Sequence, residues 1–141
     1  MLLAGSVIQG YRVAGAIRNS WYGITYLAFD EGLQRTVELV ALAPEAILPS
    51  PEPGEVEALQ ARFRQDARRA AALDHPALAP VLALIEADEV LAVAQARPPG
   101  EDLGRSLPSP DLPHTDAELH NVMALLIDGV GAIHEHGLVH G

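Results

Sequence analysis

Tyr22-Gly23-Ile24-Thr25-Tyr26-Leu27-Ala28-Phe29-Asp30, followed at once by Glu31-Gly32 and then Leu33-Gln34-Arg35-Thr36-Val37-Glu38-Leu39-Val40-Ala41-Leu42, sets the reading of this chain. Residues 24–29 and 37–42 are rich in β-branched and aromatic side chains, and Asp30-Glu31-Gly32 between them is a turn signal. Tyr11-Arg12-Val13 upstream has the same character, so the first forty residues read as an antiparallel meander. Pro49-Ser50-Pro51-Glu52-Pro53-Gly54 is a loop. A helix is expected over residues 56–73, with Leu59, Phe63, Ala67, Ala70 and Leu73 on one face. Asp74-His75-Pro76 ends it, because proline cannot continue the hydrogen-bond ladder and restricts the residue before it.

Two more strands are expected near residues 79–85 and 90–94, joined by the acidic turn Glu86-Ala87-Asp88-Glu89. Residues 97–114 hold five prolines and two glycines and read as a linker. Thr115-Asp116-Ala117-Glu118 then forms a capping box, in which the Thr hydroxyl and the Glu carboxylate satisfy free amides reciprocally. The helix it opens carries Leu119, Val122, Met123, Leu126, Val130 and Ile133 on one stripe, and Gly137 is its stop. The fold class is α+β: a five-stranded antiparallel sheet with one helix, a connector and a long second helix. The expected divisions are 1–96, 97–114 and 115–141.

Composition narrows the chemistry. The chain has 141 residues, of which 49% are hydrophobic and only 4% aromatic, so its core is built from small aliphatic side chains. Its net charge of −10 argues against nucleic acid or anionic membrane surfaces as partners. All nine basic residues are Arg, which closes any mechanism that needs a lysine amine. There is no Cys, hence no disulfide, thiolate nucleophile or Cys-ligated zinc. No run approaches the roughly 18 apolar residues of a membrane span. The start, Met1-Leu2-Leu3-Ala4, lacks the basic and apolar regions of a signal peptide. A cytoplasmic location is the resulting expectation. His134, His136 and His140 do not have the spacing of two ligands on one helix face followed by a third, so no metal is expected.

The order of elements, with these local residues, resembles a bacterial Ser/Thr protein kinase domain: its N-lobe and the start of its C-lobe. Gly10-Tyr11-Arg12-Val13 looks like the opening strand, residues 22–30 like the end of the glycine-rich loop and the next strand, and residues 33–45 like the third strand. Phe63-Arg64-Gln65-Asp66-Ala67-Arg68 with Leu73-Asp74-His75-Pro76 resembles the αC helix and its exit. The 115–141 segment resembles the αE helix and the approach to the catalytic loop, through His134-Glu135-His136-Gly137-Leu138-Val139-His140.

The resemblance implies phosphoryl transfer only where a glycine loop, a strand lysine, an αC glutamate, Mg²⁺ ligands and a catalytic aspartate are in place. The three loop-glycine positions align to Arg18, Ser20 and Gly23, the lysine position to Val40 and the αC glutamate to Asp66. His140 aligns with the first residue of the catalytic His-Arg-Asp motif and Gly141 with the second. On these positions the chain is expected not to be an enzyme and to hold no cofactor. The implied function is a pseudokinase-like regulatory module that binds a protein partner or a second copy. Arg62, Arg64, Arg68 and Arg69 on the αC-like helix are the candidate contacts for an acidic partner. The alternative is a nucleotide sensor that reads a base through the hinge-like Ala94, Gln95 and Ala96. An enzyme on a rewired kinase fold is the third reading.

Overall fold

The computed structural model describes residues 1–87, 89–100 and 115–138. The strands are β1 (Val7–Ile8), β2 (Tyr11–Asn19), β3 (Gly23–Asp30), β4 (Arg35–Leu42), β5 (Val81–Ala87) and β6 (Val90–Ala96). The helices are α1 (Pro44–Ile47), α2 (Glu55–Ala71) and α3 (Asp116–Glu135). All strands join one antiparallel sheet in the order β1-β2-β3-β4-β6-β5. The sheet thus has six strands where five were expected. The extra one is the two-residue β1, which a periodicity argument cannot detect at that length. It is fixed by backbone bonds from Gly5 N–H to the Val13 carbonyl and from Val13 N–H to the Ser6 carbonyl, both 2.8 Å.

The core lies on one face of the sheet. Ile8, Val13, Tyr26, Ala28, Val37, Leu39, Ala41, Ile85, Ala92 and Ala94 form its cluster, most of them fully buried. Alternation along β4 puts Val37, Leu39 and Ala41 into that cluster and turns Glu38, Val40 and Leu42 to the other side. Ala, Val and Leu fill most of this core, as the low aromatic content requires. Tyr26 is the exception, and its phenol oxygen accepts the Leu2 backbone N–H at 3.1 Å.

At Gly23 the sheet leaves no room for a side chain. A Cβ there would stand 2.1 Å from the Ala41 carbonyl oxygen. The kinase resemblance makes this glycine the survivor of a phosphate loop; in the fold it is the residue that lets β3 and β4 close together, opposite Leu42.

Helix α2 starts after Gly54, whose φ of 90° suits a residue without Cβ. It ends at Ala71, ahead of Leu73 and the Asp74-His75-Pro76 stop. Ala67 is buried, and Leu59, Phe63 and Ala70 are half-buried, as the apolar period requires. Helix α3 opens on the expected capping box: the Thr115 hydroxyl accepts the Glu118 N–H, and the Glu118 carboxylate accepts the Thr115 N–H at 2.7 Å. No helix among the described residues is long and apolar enough to cross a membrane. Most of the 97–114 connector, Asp88 of the acidic turn, and Val139, His140 and Gly141 lie outside the described residues.

Candidate functional site

Of the positions singled out by sequence, Arg18, Val40 and Gln95 share the sheet face opposite the core, Ser20 and Gly23 stand at its β2–β3 end, Ala94 lies in the core, and Asp66 and the four arginines are on α2. Antiparallel partners directly across from one another share a face. One row there is Leu27, Glu38 and Gln95; the next is Arg18, Thr25, Val40 and Val93. Val40, where the resemblance places a lysine, is therefore a half-buried aliphatic side chain between Thr25 and Val93.

The β2–β3 turn is closed by its own backbone. Ser20 N–H donates to the Gly23 carbonyl at 2.9 Å, and Gly23 N–H donates to the Ser20 carbonyl at 3.4 Å. The Ser20 hydroxyl donates to the same Gly23 oxygen at 2.9 Å. Two amides that a phosphate cradle would aim outward are thus engaged by each other's carbonyls. Trp21, 65% exposed at the tip, meets Tyr22 edge to face with ring centres 5.3 Å apart.

Asp66 sits on α2 with Arg62 one turn before it, nitrogen to oxygen 3.7 Å, so it pairs within its own helix. The other α2 arginines divide by task. Arg64 Nε donates to both Glu86 carboxylate oxygens at 3.1 Å, tying α2 to the end of β5. Arg69 donates to the Gly137 carbonyl at 3.2 Å, tying α2 to the end of α3. Arg62 and Arg68 remain exposed. A helical wheel carries no sign of this division, because both bridges cross long stretches of chain.

In the hinge-like segment, Ala94 is buried in the core cluster. The Ala96 N–H, a candidate donor to a base, already donates to the Pro80 carbonyl at 2.9 Å. Gln95 Nε2 donates to Glu38 Oε2 at 3.2 Å. Glu38 is the residue that sequence reasoning does not single out: it is 9% exposed although charged, and it stands in the middle of the sheet. A carboxylate inside a run of strand-forming aliphatics was the available signal.

Hydrogen bonds account for His136 within its helix and for His75 across the fold. The His136 ring Nδ1–H donates to the Ala132 carbonyl at 2.9 Å. His75 Nδ1 accepts the Ala77 N–H at 3.2 Å, which leaves Nε2–H to donate to Asp128 of α3 at 3.1 Å. Gly129 beside Asp128 is buried, and a Cβ on it would come within 3.1 Å of the Ala77 side chain. Helix α3 is thus seated through a glycine against the loop that follows α2.

No protein-family model and no curated protein matches the sequence. Solved structures do match. The kinase domain of Mycobacterium tuberculosis PknI superposes with a TM-score of 0.71 at 24% identity, over 99% of this chain and 53% of that one. A double mutant of the same kinase domain gives 0.76 at 23% identity, over 99% and 55%. The PpkA-294 apo form gives 0.74 at 22%, over 99% and 53%. The chain therefore spans about half the length of the kinase structures it matches.

These matches correct one expectation. The chain was expected not to be an enzyme, on the replaced positions; its structural neighbours are kinase domains, of whose length it spans only about half. Residue replacements read from an alignment do not establish loss of activity at this level of identity. What the superpositions establish is the fold: this chain has a protein-kinase-like fold over about half the length of such a domain.

Proposed function

We propose that this kinase-fold chain acts in regulation by binding a protein partner. The observation that carries the reading is the open apolar side of α3. The stripe expected from sequence is split in two. Val122, Val130 and Ile133 are half-buried, while Leu119, Met123 and Leu126 stay exposed, with Leu125 and Ile127 beside them. Ile127 is 68% and Met123 54% exposed. A contiguous apolar surface of this kind marks an interaction site more often than scattered single residues do. The exposed arginines Arg62 and Arg68 on α2 supply a second, basic surface suited to an acidic partner.

The test is capture of partner proteins on the immobilised chain, compared with a variant carrying Met123→Glu and Ile127→Glu. Capture lost in the variant, with an unchanged unfolding midpoint, supports the reading. Equal capture by both proteins overturns it.

A further inference from the structure

The first half of α3 stands away from the rest of the chain. Among residues 115–128 Val122 alone is half-buried and the others are exposed. Leu119, Met123, Leu126 and Ile127 fall on one side of a helix with 3.6 residues per turn and form an apolar ridge. Beside the ridge an open groove is lined by Asn121, Ala124, Leu125, Ile127 and Asp128. A ridge with a groove next to it is a surface on which a second amphipathic helix can lie.

Charge narrows what that helix can be. Asp116 precedes the ridge and Asp128 follows it, about 18 Å further along the axis. Helix α3 carries no Arg, and the chain as a whole has a net charge of −10. Glu118 is taken up by the capping box, and His120 donates its ring Nδ1–H to the Asp116 carbonyl at 2.7 Å. The Asp128 side chain accepts from His75 yet is 74% exposed, so it keeps its water. Charges of this kind at the edge of an interface select among partners and add little to affinity. A second copy is disfavoured, because antiparallel pairing would set the Asp116 end of one helix against the Asp128 end of the other. An anionic membrane surface is disfavoured by the same sign of charge.

We propose that the exposed half of α3 docks a basic amphipathic helix, with apolar residues on Leu119, Met123, Leu126 and Ile127 and Lys or Arg along its flanks. The methylene stems of those flanking residues lie in the groove beside Leu125 and Ala124, with their charged ends near Asp128. This rests on the partner reading above and adds the chemistry of the partner.

The whole chain is titrated by calorimetry with an 18-residue amphipathic Leu/Lys peptide and with the same peptide carrying Glu in place of Lys. Both titrations are repeated on Met123→Ser/Ile127→Ser and on Asp116→Asn/Asp128→Asn. The expected result is saturable one-to-one binding of the Leu/Lys peptide, weakened about tenfold by loss of the two ridge residues. Loss of the two carboxylates should weaken it about threefold, the scale of exposed charge pairs. Binding that survives the loss of Met123 and Ile127 is charge attraction alone and overturns the proposal. Equal binding of the Leu/Glu peptide, still lost with the ridge, overturns the basic partner while leaving the partner reading standing. No binding of either peptide, or self-association of the chain through this ridge in sedimentation, also overturns it; the partner reading is then judged by the capture experiment alone.

Discussion

The sheet and helix α3 are held by different means. In the sheet, Val37, Leu39, Ile85 and Ala94 are completely buried, and every strand from β2 to β6 contributes to one cluster. Helix α3 has Gly129 as its buried residue, and it is anchored by the His75–Asp128 and Arg69–Gly137 bonds. Both of those hydrogen bonds are exposed, and a single hydrogen bond stabilises by on the order of 1 kcal/mol. The sheet is thus stabilised by burial and α3 by local helix chemistry plus a small seat. The two regions should fail separately.

The largest expected effect is in the sheet. Leu39→Ala removes a fully buried side chain from the centre of the cluster. It should cost about 3–4 kcal/mol in urea unfolding monitored on the sheet. A cost below about 1 kcal/mol would show that the cluster is not what holds the sheet. Gly23→Ala comes next, at about 2–3 kcal/mol, because its Cβ would be driven against a backbone carbonyl that has no rotamer to escape into. A neutral result would mean that β3 and β4 can separate at this end without loss.

Thr115→Ala tests the other region. It removes the hydroxyl half of the capping box and should destabilise α3 by about 1 kcal/mol. Amide exchange should quicken in α3 while protection in β4 and β6 is unchanged. Equal loss of protection in both regions would erase the contrast between them.

The smallest effect concerns pH. Burial, and to a lesser degree the Asp30 carboxylate, raise the Tyr11 phenol above its ordinary value of 10.0, while Arg35 opposes them. The folded chain therefore holds this proton where the unfolded chain releases it. The associated stability is fully present below the ordinary value of 10.0 and is lost as pH rises through the folded value. Tyr11→Phe should flatten the alkaline limb of the stability profile; an unchanged limb would remove Tyr11 as its cause.

Much of the fold was legible because the sequence writes it twice, in period and in punctuation. Strands β3 and β4 announce themselves by β-branched residues around Asp30-Glu31-Gly32, and α2 by its apolar face. Helix α3 announces itself by the Thr115–Glu118 box. Strand β1 did not, since two residues carry no period. Of the candidate site, the loop positions Ser20 and Gly23 were legible as the end of a loop, but their tasks were not. Ser20 closes the turn with its own hydroxyl, and the lack of a Cβ at Gly23 matters to Ala41, far along the chain on the next strand. The four α2 arginines were read together as contacts for an acidic partner, yet Arg64 and Arg69 bridge to distant elements while Arg62 pairs within the helix.

The sequence by itself determined the longer elements, their order, and the aliphatic character of the core, because these depend on residues close together in the chain. Only the tertiary structure decided which face of β4 carries Glu38 beside Gln95, 57 residues away. It alone decided that the Ala96 amide is engaged by Pro80, and that α3 rests on Gly129. The physical reason is that strand pairing and helix seating bring together groups with no local relation. Burial, hydrogen-bond satisfaction and charge balance are properties of those meetings rather than of any stretch of sequence.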